Sequence, residues 1–148
     1  MTTFHPETPK KCPPKDAVSP NGNFFRFVFN NPPIPDDFVI WVYEPENKHY
    51  LDDRKRKGDC GAFAMSMLSK EGITRSRGLF QHPLKKKAIQ RNSFFGLAQV
   101  KLDSNSGKIK KTGQNPHHYD LWPYLNSKLE YNRVVSRNLK CYFAKRRI

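Results

Sequence analysis

Hydrophobic and polar positions alternate most clearly over Asn23 to Phe29, NFFRFVF, where Phe25, Phe27 and Phe29 share one face and Phe24, Arg26 and Val28 the other. Apolar residues on both faces predict a central strand, with Arg26 as a cation set among aromatics. Before it, Met1 to Gly22 has almost no periodicity and holds five of the twelve prolines. That composition predicts an extended lead-in to one domain running from 23 to 148. After the strand, NNPPIPDD reads as a rigid turn in which Asp36 or Asp37 could cap a short helix from Phe38. The β-branched and aromatic run Phe38 to Tyr43, FVIWVY, favours a strand instead. Glu44 to Lys57 is polar, ends in DDRKRKG and reads as an exposed loop. Asp59 is placed to cap a helix over about Gly61 to Lys70, closed by Gly72.

A further short helix is expected from Pro83 to Arg91, with Pro83 in its first turn. Phe94 to Leu102 and Lys108 to Thr112 are strand-like runs separated by Asp103 to Gly107, which suits a hairpin with a five-residue loop. His117 to Trp122 reads as another strand, stopped by Pro123. The remainder divides between a helix near Pro123 to Glu130 and strands at Arg133 to Val135 and Leu139 to Phe143. About five short strands and two or three short helices, without regular alternation, predict an α+β domain built mainly on an antiparallel sheet. A chain of 148 residues buries roughly two-thirds of its unfolded surface. With 36% hydrophobic but 13% aromatic residues, its core is expected to rest on Phe, Tyr and Trp.

Charge changes the picture most. Of 27 Lys and Arg, 22 follow Asp53, where only five carboxylates oppose them; the chain as a whole carries +14. The cations fall in stations: Arg54, Lys55, Arg56 and Lys57; Arg75 and Arg77; Lys85, Lys86 and Lys87 with Arg91; Lys108, Lys110 and Lys111; and Lys145, Arg146 and Arg147. Any one station suits a solvated face, but the total far exceeds the net charge of about 2 to 8 that solubility asks for. A polyanion is the partner such a field attracts, and nucleic acid comes first, with sequence-independent phosphate contacts. RNA is favoured over DNA if Phe94, Phe95, Tyr119 or Tyr142 present faces on which unpaired bases stack; core packing is the competing use of these rings. The alternative is an interaction module or inhibitor docking its basic side on an acidic protein within a larger assembly. No RNA-recognition RNP motif, GXXG loop or zinc-finger pattern is present.

For chemistry, His117, His118 and Tyr119 follow a turn within basic sequence. Metal-independent RNA cleavage needs a base, an acid and cations for the phosphorane, and these residues with Arg26, Lys110 and Arg91 supply the types. A ribonuclease or toxin-like effector is the enzymatic form of this expectation. On a strand, only one of the two adjacent histidines can face a given side. His82, before a proline, reads as an ordinary loop residue. Cys60, between glycines in GDCGAF, is a candidate nucleophile, weighed against a small buried cysteine. Acids are scarce after Asp53 and no two cysteines sit at zinc-ligand spacing, so no metal is expected. No cofactor is expected either, since neither a Walker-type loop nor GxGxxG occurs. Arg on an early strand followed by Ser66 imitates the residue order of ADP-ribosyltransferases; the acid that family needs in a late turn has no counterpart, Glu130 being the sole glutamate in the second half, so that resemblance is not claimed.

Three widely spaced cysteines, Cys12, Cys60 and Cys141, suit free thiols in a reducing cytoplasm. Met1 to Cys12 lacks the apolar centre of a signal peptide, and no apolar run approaches the ~20 residues of a membrane helix. A cytoplasmic location is therefore expected.

Overall fold

A computed structural model describes residues 3–71, 85–114 and 116–133. Six strands, β1 (Gly22–Val28), β2 (Met65–Leu68), β3 (Gly96–Leu102), β4 (Gly107–Lys111), β5 (His118–Pro123) and β6 (Glu130–Arg133), form one sheet in the order β4-β5-β2-β1-β3-β6. Every pairing in it is antiparallel. With two short α-helices, α1 (Leu51–Lys57) and α2 (Lys85–Arg91), and several 3-10 turns, the chain is a small α+β domain.

β1 lies at the centre and pairs with β3 over seven residues, but it meets β2 through Phe25 and Leu68 alone. The sheet is therefore nearly split into two halves, hinged at that contact. The connection Asp103–Ser106 requires the halves to fold over each other. It joins β3 and β4, four strand spacings apart in the sheet order, about 19 Å if the sheet were flat. Its own turn, closed by Ser106 N–H to Asp103 O at 3.0 Å, spans much less. The faces that meet carry Met65 and Met67 of β2, Val100 and Leu102 of β3, Ile109 of β4 and Leu121 of β5, all buried. Phe24, Tyr119 and Tyr131 close this core. The outer face of β1 is covered as well: Phe27 stacks on Phe95 with centroids 5.2 Å apart, and Arg91 of α2 sits 4.4 Å over the Phe29 ring.

The hairpin expected from Phe94 to Thr112 is corrected here. Both arms are strands, but they do not pair, because each finds another partner with a complementary inner face, β3 the distant β1 and β4 the next strand, β5. The strand expected over Phe38 to Tyr43 is also overturned. The Asp37 carboxylate gathers the N–H groups of Phe29 and Ile34 at 2.7 and 3.1 Å and the Asn30 amide at 3.2 Å, which folds the chain back on itself. Two 3-10 turns, Pro35–Asp37 and Trp41–Tyr43, follow, and Ile40 and Val42 pack on Ala62 and Phe63 in a second cluster. Tertiary packing outweighs β propensity.

The helix expected over Gly61 to Lys70 is instead a 3-10 turn, Cys60–Phe63, followed by β2. Met65 and Met67 point inward while Ser66 is exposed, so a period of two governs MSM. Conversely, the expected loop ending at Lys57 contains α1. Asp52 and Asp53 sit in its first turn, four cations in its last, and Gly58 at φ 66° ends it in the left-handed conformation glycine tolerates best. No helix forms over Pro123 to Glu130, which runs through a turn into β6. α2 accords with the helix expected up to Arg91, whose Pro83 start lies outside the described residues. His82, Arg75, Arg77, Cys141, Tyr142, Lys145, Arg146, Arg147, the strand expected over Leu139 to Phe143 and all but the first residue of the one expected over Arg133 to Val135 lie outside them too.

The lead-in is fastened to the domain. Phe4 bridges Tyr124, Val18 exchanges two hydrogen bonds with Ile109 of β4 at 2.7 and 2.9 Å, and Cys12 is disulfide-bonded to Cys60 with 5.3 Å between Cα atoms. The expectation of free thiols is thereby corrected for two of the three cysteines. Spacing could not reveal the bond, because 48 residues separate its ends and only the fold brings them together.

Candidate nucleic-acid interface and the His118 cluster

β5 places His118 and Asp120 on the outer face, where Ser66 of β2 stands opposite Asp120 and Leu68 opposite His118. His118 Nε2 is 2.8 Å from Ser66 Oγ, and its Nδ1 is 3.1 Å from Thr112 Oγ1 and 3.3 Å from the Thr112 carbonyl. A carbonyl can only accept, so Nδ1–H facing it leaves Nε2 with the lone pair for the Ser66 hydroxyl proton. Asp120 Oδ1 lies 4.0 Å from His118 Nε2. Burial pushes the Asp120 carboxyl above the usual aspartate range, and the nearby Asp59 charge adds to the rise; the Thr112 hydrogen bond and His118 work against it. A Cβ placed on Gly61 would contact Asp59 at 3.5 Å and Asp120 at 3.6 Å, so both carboxylates flank one point beside the Cys60 turn. The cluster is thus a half-exposed imidazole, a hydroxyl and a largely buried carboxyl on one face.

The other residues expected to share in catalysis are elsewhere. Tyr119 points inward and meets Phe24 edge-on at 5.4 Å. His117 lies in the turn before β5, with Nδ1 3.5 Å from Ser69 Oγ and 3.9 Å from Glu71. Arg26 is buried on the inner face. Its guanidinium donates to the carbonyls of Asp37 and Ser66 at 2.8 Å each and to that of Val39 at 3.4 Å, and it pairs with Glu44 at 3.5 Å. Burial pushes Arg26 downward from its ordinary value, and the Glu44 and Asp37 carboxylates oppose this. A side chain so fully engaged holds β1, β2 and the Pro35–Tyr43 segment together. The four expected catalytic residues, His117, His118, Tyr119 and Arg26, do not converge on one point.

The cationic stations are threaded with acids from residues 7 to 59. In α1, Arg54 pairs with Asp59 at 3.2 Å, Lys55 with Glu7 at 2.9 Å, and Arg56 and Lys57 with Asp53 at 2.7 and 3.2 Å. In α2, Lys87 reaches Glu44 and Glu46, and Arg91 pairs with Glu46. Burial alone would raise the Glu46 carboxyl, but the Arg91 hydrogen bond and the Arg91 and Lys87 charges hold it below its usual range. On β4, Lys110 pairs with Asp16 at 3.1 Å and Lys108 reaches Ser19 at 3.2 Å. Lys86 and Lys111 have no carboxylate partner among the described residues. The Lys85 side chain, Arg146 and Arg147 lie outside them. Surface pairs of this kind are worth little individually, and they leave the net charge at +14.

Of the proposed stacking rings, Phe94 is exposed, whereas Phe95 and Tyr119 are packed on Phe27 and Phe24. Cys60 is spent in the disulfide and has no thiol to offer as a nucleophile. Among the described residues, no three His, Cys, Asp or Glu side chains converge as metal ligands, and no helix is long and apolar enough to cross a membrane. Sequence reasoning missed Ser66, Thr112 and Asp120 as neighbours of His118. The alternation in MSM was the available signal for an outward Ser66; the cross-strand register that completes the cluster had none. Neither a protein-family model, nor a curated protein, nor a solved structure matches the chain.

Proposed function

We propose that this protein binds nucleic acid, with RNA preferred over DNA, through its basic surface. The observation that carries this reading is the charge excess itself. All thirteen carboxylates of the chain could be paired and fourteen cations would still be in surplus. The test is fluorescence anisotropy of labelled single-stranded RNA and duplex DNA between 50 and 200 mM salt, conditions under which several phosphate contacts weaken affinity by about 10³-fold or more. A flat salt dependence, or equal competition by a neutral polymer, overturns the reading. Protection of the basic stations by an acidic protein without any shift of RNA or DNA favours the docking alternative.

In the cleaving form of this function, His118 is the base that takes the 2′-hydroxyl proton as the 2′-oxygen attacks phosphorus, and Asp120, 4.0 Å from it with its carboxyl shifted upward by burial, is the group that gives a proton to the departing 5′-oxygen. Incubation of RNA in chelator with wild type, His118→Ala and His117→Ala tests it. Loss of cleavage in the first variant alone is the expected result, and intact RNA in all three removes cleavage while leaving binding in place. A cytoplasmic site of action sits poorly with the Cys12–Cys60 bond, since cytosolic thiol buffers oppose disulfides. Passage through an oxidising space before action reconciles the two, as a toxin-like effector would require.

A further inference from the structure

Between the Pro35–Tyr43 segment and the chain from Tyr124 to Tyr131 lies an open cavity of about 440 Å³, remote in character from the charged surface. Its size falls in the range of about 300–1,000 Å³ typical of small-ligand sites. Phe38 and Tyr131, each half-buried, stack with centroids 4.1 Å apart on one side; Tyr43 and Tyr124 contribute further rings, and Met65 forms part of the lining. The Tyr43 hydroxyl is anchored 2.9 Å from the ring nitrogens of His5, and Tyr124 is stacked at a tilt on Phe4, 5.2 Å away, so the lead-in braces two of these rings. Lys128, exposed at the rim, has no carboxylate partner among the described residues.

We propose that this cavity binds a single nucleotide, with its base against the Phe38–Tyr131 stack and its phosphate at Lys128. Three features select that ligand. The walls are aromatic, and every base has a π-face that stacks on them whatever its sequence. The cation stands at the mouth and not in the depths, which matches a flat apolar body carrying a terminal anion. The protein's net charge of +14 draws anions to the mouth over distances beyond contact. The nucleotide can be free, or it can be an unpaired residue of RNA whose neighbouring phosphates rest on the basic surface. The choice of ligand rests on the nucleic-acid reading, while the existence of the slot does not.

The experiment is titration of the intact, disulfide-bonded protein with AMP, UMP, ribose 5-phosphate and a short single-stranded RNA, read by intrinsic fluorescence and by competition against labelled RNA. Saturable binding of AMP or UMP, displaced by the RNA, supports the slot with RNA as its source. Saturable mononucleotide binding that RNA does not displace supports the slot with free nucleotide as its source, even where the nucleic-acid reading itself fails. Tyr131→Leu is expected to weaken mononucleotides about tenfold or more, as loss of a stacking ring does. Lys128→Ala, at an exposed position, should weaken AMP but leave adenosine unchanged. RNA binding without any mononucleotide binding overturns the slot and leaves the basic surface as the whole of the interface. Ribose 5-phosphate binding as tightly as AMP, or AMP binding unchanged in Lys128→Ala, also overturns it.

Discussion

Two residues bear more than their exposure suggests. Arg26 satisfies three backbone carbonyls and the Glu44 carboxylate from a buried position, so its removal leaves the carbonyls unsatisfied and takes from Glu44 one of its cationic partners. Arg26→Met should cost about 3–5 kcal/mol in urea denaturation, the usual penalty for breaking one side of a buried ion pair. Adding Glu44→Leu should return part of that loss, although Lys87 would then lose one of its two partners, at 3.2 Å, and keep Glu46 at 3.4 Å. Asp120 behaves in the opposite sense. Its carboxyl is raised above 3.8, so the folded state holds a proton more tightly than the unfolded chain does. The stability this proton provides is present below pH 3.8 and is lost as pH rises through the folded value. Asp120→Asn is therefore expected to be at least as stable as wild type at pH 7 and relatively less stable near pH 3, which thermal melts at the two pH values will read. The sequence marked Arg26 as an odd cation among aromatics, and alternation placed it correctly on its strand. Nothing in the order of residues indicated the carbonyls it binds, because those come from Asp37, Val39 and Ser66 on separate segments.

At the level of elements, alternation was legible wherever a strand had one consistently buried face. β1 and β5 were read nearly to their ends, and the face division of Phe24 to Phe29 holds, with Val28 and Phe25 both buried. Short elements whose conformation depends on what they pack against were not legible. FVIWVY has the composition of a strand, but Asp37 ties the preceding turn so tightly that Ile40 and Val42 arrive against Phe63 as 3-10 turns. The cross-link between Cys12 and Cys60 belongs to this scale also, since it joins the lead-in to the turn that abuts β5 through Trp122 Nε1–H to Cys60 O at 2.8 Å. Closing a loop of 48 residues contributes about 4 kcal/mol by the chain-entropy account. Cys12→Ser with Cys60→Ser should lower unfolding free energy by an amount of that order. The same loss should follow reductant in wild type and be absent when reductant is added to the double variant.

For the molecule as a whole, charge outweighs every other influence outside the core. A surplus of +14 repels itself in the compact state, so moderate salt should raise the melting temperature. A polyphosphate at matched ionic strength should raise it further, and chloride raising it equally would argue against any polyanion site. Ion pairs from Glu7, Asp16, Glu44, Glu46 and Asp53 lay the acidic beginning of the chain among the basic remainder and offset part of that repulsion locally. Composition and periodicity by themselves determined the α+β class, the central strand and the sign and size of the field, because each is a sum or a local pattern that survives without knowing the fold. The core expected to rest on aromatic rings is instead built, between the sheet halves, from Met65, Met67, Val100, Leu102, Ile109 and Leu121, with rings such as Phe24 and Tyr119 at its margin. Only the tertiary structure decided which strands pair, that Cys12 meets Cys60, that His118 has Ser66, Thr112 and Asp120 for neighbours, and that Phe38 and Tyr131 wall one cavity. The Cys12–Cys60, Ser66–His118 and Phe38–Tyr131 relations join residues 48, 52 and 93 positions apart, and a long-range contact is chosen by burial and hydrogen bonding over the whole chain, which no local window contains.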